Sequence, residues 1–173
     1  MSHAAARLNM LDAQVRANDV TDPRIQAAMG AIARERFVPS ARAALAYADV
    51  PVQIAPQRYL LDPRSFAKLL QLARIEPGDR VLDVACGTGY SSAVIAHLAK
   101  SVVALEQDAD LVRLASQLLP AAGAANAIVT QGSLIEGFKG GAPYDAIFVN
   151  GAIETRPETL LAQLAEGGRL VTF

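Results

Sequence analysis

Two acids and a glycine turn carry the first chemical signal in this chain. The stretch from Val81 to Tyr90 is an apolar run holding one acid, Asp83, that stops at Gly87-Thr88-Gly89. Glycines there let a backbone approach a ligand with no Cβ in the way. A second acid, Glu106, ends the next apolar run nineteen residues after Gly87, where it can accept hydrogen bonds from both hydroxyls of a ribose. A ribose-bearing cofactor is the chemistry these residues suit. The dinucleotide fingerprint needs a third glycine, and position 92 is Ser92. An S-adenosylmethionine site has no pyrophosphate to cradle and wants an acid near the turn to meet the cationic methionine portion, as Asp83 would. The pattern therefore favours S-adenosylmethionine over NAD. The alternative makes Asp83 a structural carboxylate and the glycines a simple chain reversal.

The elements that must position these residues read as an α/β fold. From Glu76 onward, short aliphatic runs at 80–85, 101–106, 127–130, 144–150 and 169–173 alternate with helical stretches at 90–100, 108–119 and 157–165. Strands separated by helices imply right-handed βαβ units and a mostly parallel sheet with helices on both faces. Ligands in such sheets sit beyond the carboxyl ends of the strands. That places the turn Ala85, Cys86, Gly87, Thr88, Gly89 and Tyr90 against the cofactor, with Glu106 and Gln107 after the second strand. Gly132, Ser133 and Leu134 follow the third, and Asn150 ends the fourth. Ser133 would pass the adenine, as a weaker acceptor than an acid.

The first 75 residues read as a helical cap and acceptor loop, and residues 76–173 as the cofactor-binding core, together one compact unit. Asp22-Pro23 and Asp62-Pro63 are each an N-cap followed by proline in the first turn, opening helices with Ile25, Met29 and Ile32, and with Phe66, Leu69 and Leu70, as apolar stripes. The mixed segment between them is broken by Pro51 and Pro56.

Composition narrows the classes. The 173 residues are 52% hydrophobic and carry a net charge of −1, with no block of like charge to meet nucleic-acid phosphates or a membrane surface. No apolar stretch is long enough to span a bilayer, and the N-terminus lacks a signal pattern. The single cysteine, Cys86, and two distant histidines, His3 and His97, leave no spacing for a metal site. A cytoplasmic protein, monomeric or weakly dimeric, is expected.

Over nearly its whole length the chain resembles the protein-L-isoaspartate O-methyltransferases. The matching pieces include "NDVTDPRIQAAM", "RERFVPSA", "AYADVPV", the glycine motif, "APYDAIFVNGA" and "PETLLAQLAEGGRLV". The resemblance implies a Rossmann-like class I methyltransferase fold that uses S-adenosylmethionine to methylate isoaspartyl carboxyls of damaged proteins or peptides. Asp83, Gly87, Gly89 and Tyr90 would line the methionine side, Glu106 would hold the ribose, and Ser133 and Leu134 would flank the adenine. The family's Gln-Thr-Ile-Ser-Gln-Pro acceptor loop departs here to Arg58-Tyr59-Leu60-Leu61-Asp62-Pro63. Leu61 replaces the serine that helps hold the substrate carboxylate, and Arg58 or Tyr59 could donate in its stead. A cofactor-binding homologue without catalysis, and a methyltransferase for another acceptor, are the alternatives this loop raises. The fold has seven strands, and the chain is expected to stop at the fifth, leaving strands 6 and 7 absent.

Overall fold

In the computed structural model, which describes residues 2–173, the chain opens with helix α1 (His3–Met10). It runs on through a π-helical stretch, Leu11–Val15, and a short 3₁₀ turn, Arg16–Asn18. Helices α2 (Pro23–Ala31) and α3 (Pro63–Ala73) begin at the two Asp-Pro signals. The Asp22 side chain accepts from the Arg24 N–H and the Asp62 side chain from the Ser65 N–H, each covering an orphan donor of the first turn. Ile25, Met29 and Ile32 are buried, as are Phe66, Leu69 and Leu70.

The core alternates as expected through β3 (Arg80–Val84), α4 (Tyr90–Ala96), β4 (Ser101–Glu106), α5 (Ala109–Ala121), β5 (Ala127–Gln131), β6 (Tyr144–Val149), α6 (Glu158–Leu161) and β7 (Leu164–Val171). The five strands form one parallel sheet ordered β5-β4-β3-β6-β7. Strand order reverses beside β3, so a crevice opens at the carboxyl ends of β3 and β6. Successive β3 residues bury on opposite faces. Val81 joins a cluster with Phe66, Val94 and Leu119, while Leu82 and Val84 join one with Tyr144, Ile147 and Leu160. The first face carries α3, α4 and α5, and the second is covered by α6 and by Leu134 and Phe138.

The expected absence of a sixth and seventh strand is wrong. Seven strands are present among the described residues, and β6 and β7 pair in parallel at one side of the sheet. The two strands not foreseen, β1 (Val52–Ala55) and β2 (Arg58–Leu60), form a separate antiparallel hairpin. Pro51 precedes this hairpin and Pro56 sits in its turn, positions where a missing N–H breaks no ladder bond. Strand β7 also starts five residues before the expected position. A register shift against β6, between Tyr144 and Ala146, takes up Gly167-Gly168, and a Cβ on Gly168 would lie 2.9 Å from the Ala165 carbonyl oxygen. Pairing of Leu164 with Tyr144 thus shortens the helix expected over 157–165 to α6.

Candidate active site

The turn after β3 is built from left-handed backbone. Ala85, Gly87 and Gly89 have φ of +60°, +59° and +94°. The Cys86 N–H donates to the Leu105 carbonyl at 3.1 Å and the Gly89 N–H to the Cys86 carbonyl at 2.9 Å, which curls the loop back over β4. The left-handed φ of +59° favours glycine at position 87, and a Cβ there would press on Ile54 Cδ1 of the hairpin, 2.6 Å away.

The two acids take different partners. Asp83 is fully buried, and its Oδ2 accepts from the hydroxyls of Ser91, at 2.6 Å, and Ser92. Its Oδ1 accepts from Asn150 Nδ2 at 2.7 Å. The carboxylate therefore ties β3 to the first turn of α4 and to the end of β6. Burial pushes its pKa up to about 6, against the opposing pull of those three hydrogen bonds. Glu106 is equally buried but is held by backbone. The Gly87 N–H donates to Oε2 at 2.9 Å, and the N–H groups of Gln107 and Asp108 donate to Oε1 at 2.8 and 3.1 Å. Arg58 closes the set with a two-pronged pair, Nη1 to Oε1 at 2.7 Å and Nη2 to Oε2.

Beyond the carboxyl ends of β3 and β6 lies a cavity of about 500 Å³. Val84, Ala85, Leu134, Asn150, Ile153 and Leu160 are among the residues that line it. It stops short of Gly87 and Glu106, which Ile54 and Arg58 cover from the hairpin. Gly132 sits beside Glu106, donating its N–H to the Glu106 carbonyl at 3.0 Å. Ser133 accepts from the Glu136 N–H at 3.4 Å. Two residues of the turn face away from this space. Thr88 donates its hydroxyl to the Phe37 carbonyl at 2.6 Å, and Tyr90 packs edge-on against Phe37 with Arg34 stacked 4.6 Å from its ring centroid.

Comparison with known proteins adds a family to this geometry. The profile described as Protein-L-isoaspartate(D-aspartate) O-methyltransferase (PCMT) matches residues 6–172. The chain belongs to the protein-L-isoaspartate O-methyltransferase family. The protein-L-isoaspartate O-methyltransferase of Methylorubrum populi is 41% identical over 96% of this chain and 78% of its own length. That of Koribacter versatilis is 40% identical over 97% and 76%. A solved protein-L-isoaspartate O-methyltransferase superposes with a TM-score of 0.81 at 28% identity, covering 95% of this chain and 54% of that one. A Plasmodium falciparum chain assigned to the same activity, solved with S-adenosyl-L-homocysteine, has the same fold at a TM-score of 0.81 and 23% identity, over 95% and 82% of the two chains.

As a member of the isoaspartate methyltransferase family, this protein is an S-adenosylmethionine-dependent O-methyltransferase. Its residues fit that cofactor: a left-handed glycine turn, a buried carboxylate beside it, and an apolar cavity at the switch point. On the acceptor side, Leu61 packs partly buried against the core, and its carbonyl accepts from Arg34 Nη2. Leu60 is buried and Tyr59 is 53% exposed. Asp62 spends its carboxylate on the α3 cap.

Sequence reasoning missed four groups that matter here. Ser91 and Ser92 hold Asp83, Arg34 braces the acceptor loop, and Ile54 covers the glycine turn. The serines stand one helical turn past the glycines, where an acid partner could have been sought. Ile54 gave no signal, because its contact depends on a hairpin too short to show alternation.

Proposed function

We propose that this chain transfers the methyl group of S-adenosylmethionine to a side-chain carboxylate, that of an isoaspartyl residue in a damaged protein or peptide. The observation that carries the reading is the buried Glu106 carboxylate, locked by the glycine-turn backbone through Gly87 at the carboxyl end of β4. In this reading Glu106 and Gln107 hold the ribose. Ala85, Cys86, Gly87 and Gly89 form the backbone cradle on the methionine side with Asn150. Gly132, Ser133 and Leu134 take the adenine. Asp83, Thr88 and Tyr90 serve by fixing the cradle rather than by touching the cofactor, since all three are buried and pointed elsewhere.

The bound cofactor supplies an electrophilic methyl group on a cationic sulfur. A carboxylate with a pKa near 4 is already an anion at neutral pH, so the chain needs no general base. Its residues work by orienting the acceptor oxygen and excluding water. The proposed setting is the cytoplasm and the proposed form a monomer or weak dimer; the near-balanced charge supports a freely dissolved protein acting on other proteins or peptides.

Two measurements test this reading together. S-adenosylhomocysteine at a hundred times its dissociation constant should stabilise the fold by about 2.7 kcal/mol, while NAD leaves the melting temperature in place. With labelled cofactor, an isoaspartyl peptide should gain a base-labile methyl ester. A shift with NAD alone, or no ester above background, overturns the proposal.

A further inference from the structure

We infer that Arg58 is the group that receives the acceptor carboxylate, and that its pairing with Glu106 is a resting position from which the cofactor's ribose displaces it. The inference rests on the reading of Glu106 as the ribose holder. A carboxylate offers about four lone-pair sites. Glu106 already meets three backbone N–H donors and two prongs of Arg58. Two ribose hydroxyls cannot be added to that set. The backbone donors belong to the glycine turn and the strand end and stay in place, so Arg58 is the partner that leaves.

The hairpin is placed to allow this. Among the described residues β1 and β2 pair only with each other, so displacing Arg58 and the hairpin turn breaks no bond of the five-stranded sheet. It lies directly on the cofactor's path, with Ile54 against Gly87 and Arg58 against Glu106. Its far end is the acceptor loop: Arg58 stands three residues before Leu61, the position where the family's serine is missing. In the resting pair the Arg58 side chain is 23% exposed, and once released its guanidinium is a cation without a carboxylate partner, next to the acceptor loop. Guanidinium and carboxylate match as a two-pronged pair. Arg58 thus supplies the donor that Leu61 lacks, and only after the cofactor has bound.

The test compares wild type with Arg58→Ala and Arg58→Lys. Binding of S-adenosylhomocysteine is measured by calorimetry, and kcat/KM is measured with an isoaspartyl peptide. Removing the resting pair removes a competitor, so S-adenosylhomocysteine should bind about tenfold more tightly to Arg58→Ala, while kcat/KM for the peptide falls by roughly a hundredfold or more. Arg58→Lys, which loses the fork and keeps the charge, should move both constants in the same two directions by less, and it carries the test should the alanine variant not fold. Wild type should bind the peptide measurably only with S-adenosylhomocysteine present. Weaker or unchanged cofactor-product binding in the variants overturns the inference, as does peptide binding that ignores either Arg58 or S-adenosylhomocysteine. Failure of wild type itself to bind S-adenosylhomocysteine overturns the cofactor reading instead.

Discussion

Asp83 and Glu106 are both fully buried acids on neighbouring strands, yet their partners give them separate work. Glu106 is satisfied by backbone N–H groups and a guanidinium that can leave. Asp83 is satisfied by three side chains, those of Ser91, Ser92 and Asn150. Burial lifts the Asp83 carboxyl to about 6, above the value near 4 it has in the unfolded chain. The folded protein thus keeps this proton to higher pH than the unfolded one. The stabilisation is fully present below about pH 4 and is lost as pH rises towards 6. Urea unfolding across that window should show wild type losing stability relative to Asp83→Asn, by on the order of 3 kcal/mol. Parallel curves for the two proteins would show that Asp83 titrates alike in both states. The place of Glu106 was legible from its spacing to Gly87. The commitment of Asp83 was not, because a cofactor-facing acid and a buried one occupy the same position in the sequence.

Helix starts were the most legible elements, because their signal is local. Asp62 caps α3 by accepting from the Ser65 N–H at 2.8 Å. Replacing it with Ala should cost about 1 kcal/mol in chemical denaturation, and replacing it with Ser should cost little. A large loss with Ser would mean that the charge, rather than the cap, is what the fold needs. The βαβ core was legible too, since its central strands β3, β4 and β6 are buried on both faces and read as continuous apolar runs. What escaped notice depends on distant partners. Strands β1 and β2 hold four and three residues, too few to display a period. The early start of β7 comes from pairing with β6 overriding the helical pattern of residues 157–165.

At the scale of the whole molecule, the division between cap and core at residues 75 and 76 does not divide the packing. One hydrophobic cluster runs from Met10 and Phe37 through Phe66 to Val94, Leu119 and Phe148. Polar ties cross the same line. The Thr88 hydroxyl reaches the Phe37 carbonyl, Arg169 Nε reaches the Ala73 carbonyl, and its Nη2 reaches the Arg74 carbonyl. The change to alternating strands and helices at Glu76 marks the two regions as different, but it carries no information on how far their surfaces interlock. The glycine turn therefore rests on the cap as much as on the sheet. The turn also holds the chain's one cysteine, Cys86, which is buried and whose thiol is pushed well above its ordinary pKa by that burial. Thiolate is the reactive form, so a thiol reagent acts only when this turn opens. The protein thus carries its own clock: without any engineered label, the rate of Cys86 modification times the opening of the turn. Saturating S-adenosylhomocysteine should slow that clock severalfold, and a rate indifferent to it would place the opening elsewhere.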